Sequence, residues 1–101
     1  MDINELTQKM NSFVQSKGWY EANSNRPQTP RNLAISISLE AAEILEHFQW
    51  SDGINNQEKL ALELADVTLY LLQLASILEI DLEKAVISKL AMNTKRSWDH
   101  E

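Results

Sequence analysis

The chain has 101 residues, enough for one domain, and carries a net charge of −6, which opposes the phosphate backbone of a nucleic acid. Hydrophobic residues make up 44 %, which excludes a disordered chain, and only two glycines and two prolines favour long helices. There is no cysteine, so disulfides and thiolate metal sites are excluded, as fits a reducing cytoplasm.

The first helix is expected from about Asp2 to Lys17. Ile3, Leu6, Met10, Phe13 and Val14 recur on one stripe at helical spacing. Gly18 supplies a stop signal. The opening segment is amphipathic and acidic, unlike a signal or transit peptide. Residues 19–29, WYEANSNRPQT, read as a loop, and a connection this long in a small domain often serves function.

Thr29-Pro30 opens a second helix, with threonine as N-cap and proline at the first helical position. It is expected to run to about Trp50, with Ser51-Asp52-Gly53 as the turn. The third helix is expected from about Asn56 to Glu79. Asp81 caps a fourth, from Leu82 to about Trp98. No stretch approaches the roughly 18 apolar residues of a membrane span, so no membrane partner is expected.

The third helix is apolar nearly all round. Leu60, Leu64, Val67, Leu71, Leu74 and Leu78 take one side, and Leu62, Leu69, Leu72 and Ile77 the others. Such a helix is buried on several sides, and a lone domain of this size can hardly surround it. The expectation is an all-α four-helix bundle over residues 1–101 that packs into a homo-oligomer, dimer or tetramer. The alternative is a monomeric bundle with a greasy central helix.

Two carboxylates, Glu63 and Asp66, interrupt this helix three residues apart and share one face. Unpaired carboxylates in a dry setting need basic partners or a cation. The second helix repeats the spacing with Glu40 and Glu43, also among apolar residues. A short turn makes the two helices antiparallel. Glu43 lies about eight residues before the turn and Glu63 about eight after it, so at about 1.5 Å per residue the pairs reach similar height. Four carboxylates meeting at one place suit Mg²⁺, or Mn²⁺ as a substitute. Di-iron bundles use Glu-x-x-His, and neither pair has that form. His47 is read as a helix-surface histidine.

The segment TPRNLAISISLEAAEILEHFQW followed by ELADVTLYLL resembles the MazG-like nucleotide pyrophosphohydrolases of the all-α NTP pyrophosphatase superfamily. The family pattern is Glu-x-x-Glu, a spacer of about twenty residues, then Glu-x-x-Asp, and it falls on Glu40, Glu43, Glu63 and Asp66. The resemblance spans roughly residues 29–96. It implies an oligomeric, Mg²⁺-dependent enzyme in which these four residues serve metal binding and catalysis. The reaction implied is hydrolysis of a nucleoside triphosphate to monophosphate and pyrophosphate, as house-cleaning of non-canonical or surplus nucleotides. Two other readings stay open. One is a non-catalytic helical interaction module stabilised by a cation; the other is a sibling pyrophosphatase acting on dUTP or phosphoribosyl-ATP.

The resemblance also implies substrate-binding residues. Trp50 would contact the base, or else plug the end of the bundle. Lys89, Asn93 and Arg96, at i, i+4 and i+7, would reach the phosphates, or else form a solvated basic end favoured by the helix dipole. Tyr70, one turn beyond Asp66, would touch sugar or phosphate, or else be a core tyrosine. Trp19, Arg26 and Asn32 would line the nucleotide pocket, though Trp19 could equally pack at the end of the first helix. The chain departs from the family where Gln28 replaces an expected histidine and where Ser97-Trp98 follows Arg96.

Overall fold

The computed structural model describes residues 1–96. It contains four helices: α1 (Ile3–Ser16), α2 (Pro30–Glu46), α3 (Gln57–Ile77) and α4 (Leu82–Lys95), with no strand among the described residues. Ser97 and Trp98, and with them the expected end of the fourth helix, lie outside the described residues.

Each helix starts at a side-chain cap. Asp2 accepts from the Glu5 backbone N–H at 2.9 Å, Thr29 from Asn32 at 3.1 Å, Asn56 from Lys59 at 3.0 Å and Asp81 from Lys84 at 3.0 Å. Each cap satisfies a donor that the helix itself leaves open, worth about 1 kcal/mol.

Two helices close in the same way. Gly18 takes the left-handed conformation at φ +71, its N–H donates to Gln15 O at 3.0 Å, and the Trp19 N–H donates to Val14 O at 3.3 Å. This is the paired C-terminal closure in which glycine turns the chain back on the last carbonyls. α3 repeats it with Glu79 at φ 57, Glu79 N–H to Ser76 O at 3.1 Å and Ile80 N–H to Ala75 O at 2.8 Å. A glutamate in that conformation carries a cost that glycine avoids.

α2 ends four residues before the expected Trp50. His47, Phe48 and Gln49 donate to Ile44, Leu45 and Glu46 carbonyls, three residues back. This tightened winding rotates the chain off the α-helical face. Trp50 therefore does not continue the line of Glu43; it is 89 % exposed, in the α2–α3 connection.

α3 is the axis of the fold, with α2 and α1 packed on it and α4 against α1. Met10 and Val14 of α1 meet Leu72 of α3, with Ile3, Trp19, Tyr20 and Leu82 around them. The α1 stripe thus divides: Met10 and Val14 are buried, while Leu6 and Phe13 stay exposed at a cavity. On α3, Leu60, Leu72 and Ala75 are buried, but Leu62, Leu64, Leu69, Leu71 and Leu78 are not. No residue of α4 is fully buried.

One expectation needs correction. α3 is 21 residues long, and an 18-residue stretch of it with mean hydropathy 1.5 is long and apolar enough to cross a membrane by length and composition alone, Glu63 and Asp66 included. The core helix of a soluble protein passes the same test, and α3 packs against both α1 and α2.

Candidate active site

The capped start of α2 and the Asn56-capped start of α3 set the two helices against each other. That contact gathers Glu40 and Glu43 of α2 with Glu63 and Asp66 of α3. Glu40 is the focus. Burial raises its pKa most, and the neighbouring charge of Glu43, a hydrogen bond shared with Glu43, and the charges of Asp66 and Glu63 raise it further. The other three carboxylates therefore all act on Glu40. Glu40 Oε2 is buried without a hydrogen-bond partner.

Glu63 is 7 % exposed, and its Oε2 accepts a hydrogen bond from His47 Nε2 at 2.6 Å. Against an ionised carboxylate, which can only accept, the imidazole presents Nε2–H. This corrects the reading of His47 as a surface histidine. The tightened turn after Glu46 draws it inward, and its side chain is 9 % exposed. Glu43 and Asp66 are solvent-exposed.

The donor set fits a hard divalent cation: oxygen ligands, excess negative charge, and one buried oxygen lacking a partner. Among the described residues no three His, Asp or Glu side chains already form a closed metal-holding group. The gathering of the four carboxylates around Glu40 is thus electrostatic, with Glu63 turned toward His47.

A cavity of about 690 Å³ opens beside Asp66. It runs between α1, the 19–29 loop, α2 and α3. Of the expected substrate-binding residues, Trp19, Asn32 and Tyr70 line it, as does Arg26. Phe13 meets the edge of Trp19 at 5.7 Å and 85°, and the Arg26 guanidinium lies 5.3 Å over the Trp19 ring. Asn32 Nδ2 donates to the Pro27 carbonyl at 3.0 Å, which ties the loop to the start of α2. Tyr70 is half-buried.

Trp50, Lys89, Asn93 and Arg96 are not brought to this cavity. Lys89 and Arg96 are exposed and Asn93 half-buried, on a helix that packs against α1. The cavity instead has Lys9 of α1 as a cation on its wall, and Gln28 and Gln73 at its polar end. The sequence held a signal for Gln73, a lone amide within an apolar run seven residues after Asp66. Nothing comparable marks Lys9.

Residues 35–101 match the model of the MazG-like family. The human dCTP pyrophosphatase 1 is 40 % identical over 80 residues, covering 70 % of this chain and 47 % of that protein. The rat dCTP pyrophosphatase 1 is 40 % identical over 76 residues, covering 66 % of this chain and 45 % of that protein. The chain thus spans about half the length of these curated relatives. The crystal structure of a pyrophosphatase from Archaeoglobus fulgidus superposes with a TM-score of 0.75 at 37 % identity, covering 89 % of this chain and 86 % of the other. The matched segment contains all four clustered carboxylates, and the shared fold covers more of the chain than that segment does. By sequence and by architecture, the chain belongs to the MazG-like family.

Proposed function

We propose that the protein is a Mg²⁺-dependent nucleoside triphosphate pyrophosphohydrolase that removes non-canonical or surplus nucleotides. The observation that carries this is the cluster of four carboxylates around Glu40 at the edge of a nucleotide-sized cavity. Relatives named dCTP pyrophosphatase support it. Glu40, Glu43, Glu63 and Asp66 would hold Mg²⁺, with Mn²⁺ as a substitute. The ion supplies charge neutralisation and polarisation at the α-phosphoryl group.

The chain's own residues do the rest. Lys9 and Arg26 bring positive charge to the cavity wall, where a triphosphate needs it. Trp19 offers a flat ring that Phe13 and Arg26 hold from two sides. Water adds to the α-phosphorus, the bond to the bridging α–β oxygen breaks, and pyrophosphate leaves. A carboxylate of α2, Glu40 or Glu43, takes the water's proton.

The assembly is a homo-oligomer. The accessible surface is 7993 Å², against about 5,800 Å² for a compact monomer of this mass. The radius of gyration is 16.3 Å, against roughly 13 Å for a compact domain of this length. The surplus is apolar: Leu39 and Leu45 of α2, Leu62 of α3 and Ile87 of α4 are each more than 60 % exposed. Lys89, Asn93 and Arg96 act on phosphate only where assembly brings them to a cavity.

The test is pyrophosphate release with Mg²⁺ across canonical and modified NTPs and dNTPs, with the nucleotide product identified by chromatography. Monophosphate and pyrophosphate in equal amounts, absent with Glu43→Ala, are expected. A folded protein that Mg²⁺ stabilises but that turns over no nucleotide would instead be a cation-stabilised interaction module.

A further inference from the structure

On α3, Asp66, Tyr70 and Gln73 fall at i, i+4 and i+7, and all three line the cavity. Gln73 lies about 10 Å along the axis from Asp66. That is the reach of one nucleotide from its α-phosphate to its base. Gln73 is 3 % exposed, and a polar side chain so withdrawn must account for its hydrogen bonds.

Its Nε2 donates to Gln28 Oε1 at 2.7 Å, and Gln28 Nε2 donates to the Arg26 carbonyl at 2.6 Å. A backbone carbonyl only accepts. It therefore sets the Gln28 amide nitrogen-first toward Arg26 and oxygen-first toward Gln73. That oxygen in turn requires the Gln73 nitrogen. The ambiguity that usually attends a glutamine amide is removed at both residues. Tyr20 shares a further side-chain hydrogen bond with Gln73, and the relay ends on Gln73 Oε1, the acceptor of a residue that lines the cavity.

We propose that Gln73, oriented by Gln28, selects the base: its Oε1 accepts from the exocyclic amino group of cytosine or adenine and rejects uracil and thymine. This rests on the reading of the cavity as a nucleotide site. Cytosine N4 and adenine N6 carry donors, whereas uracil and thymine present a carbonyl at the matching position. Two acceptors face to face leave both desolvated oxygens without a proton, which is the costly case. Phe13, Trp19 and Leu69 give the base apolar walls.

The experiment is calorimetric titration of the full chain, with Mg²⁺, using α,β-imido dCTP and α,β-imido dUTP. These probes cannot be cleaved at the α–β bridge and differ at the group in question. The wild type is expected to favour the cytosine probe by about 10- to 100-fold. Gln73→Leu should bring the ratio to near one. Gln28→Leu, a change at a half-buried loop residue, frees the Gln73 amide to turn and should cut the preference severalfold. Circular dichroism establishes that each variant is folded, and Gln28→Leu decides the matter if Gln73→Leu is not.

Equal affinities in the wild type, or a ratio unchanged in folded Gln28→Leu, overturn the proposal. Failure of both probes to bind overturns it together with the nucleotide-site reading. Discrimination between the probes without hydrolysis of dCTP itself would uphold base selection and overturn the hydrolase.

Discussion

His47 Nε2 stands 2.6 Å from Glu63 Oε2 across the turn that joins α2 to α3, with the two side chains only 9 % and 10 % exposed. The contact links the residue that caps α2 to the most buried carboxylate of the cluster. It closes the connection and satisfies a charge that would otherwise lie dry.

Removing one partner therefore leaves the other stranded. His47→Ala is expected to cost about 2 kcal/mol of stability, the range for a hydrogen bond to a charged group. Urea unfolding of the metal-free protein measures it. The double variant His47→Ala/Glu63→Gln should recover part of the loss, because the orphaned charge is gone.

Glu40 works in the opposite direction. Burial and three neighbouring carboxylates raise its pKa, so the folded state binds its proton more tightly than the unfolded chain does. Its contribution to stability is fully present below the ordinary carboxylate range and is lost as pH rises through the raised value. In EDTA, melting temperatures between pH 4 and pH 8 should fall more steeply for the wild type than for Glu40→Gln. The variant should melt higher at neutral pH, yet lose about 100-fold or more in turnover as one carboxylate of the cluster is removed. A variant neither steadier nor slower would remove Glu40 from its assigned role.

At the other end of α3, Glu79 holds φ 57 to close the helix. Glu79→Gly should stabilise the protein by about 1 kcal/mol, since glycine takes that conformation without the steric cost. For a domain of this size the gain reads as roughly 4–8 °C in thermal melting.

Leu62 is 69 % exposed and Ile87 62 % exposed. In an isolated chain Leu62→Glu and Ile87→Lys would change stability little, as surface substitutions do. In an assembled one they place charge in an apolar interface. Sedimentation velocity should show the wild type larger than one chain and at least one of these variants shifted toward the monomer. A wild type that sediments as a single chain at all concentrations would refute the assembly.

The sequence announced helix starts more clearly than helix ends. Thr29-Pro30, Asn56 and Asp81 are local signals, and the caps they predict are made. Gly18 marks the end of α1 for the same reason. The end of α2 has no such mark: EHFQW holds neither glycine nor proline, and the chain leaves the helix where His47 turns to Glu63, sixteen residues away. A contact at that distance is invisible to local periodicity, and helical spacing alone carries α2 on to Trp50. The carboxylate pairs were legible because a three-residue step on antiparallel helices is simple geometry. The cavity's polar end was not, because the Gln28–Gln73 bond joins residues 45 apart in the chain. The basic line of Lys89, Asn93 and Arg96 was visible as spacing, but spacing does not say which surface it meets.

The closure of α1 reaches further than the helix it ends. Because the Trp19 N–H is spent on Val14, the indole is anchored to α1 and not to the residues that follow it. Segment 20–27 can then lengthen, shorten or change composition while its first aromatic wall stays put. The clustered carboxylates ride on two capped helices, and the adjustable lining hangs between two fixed points, Trp19 and Thr29. A scaffold so divided lets the cavity lining drift through eight residues without disturbing the carboxylate end.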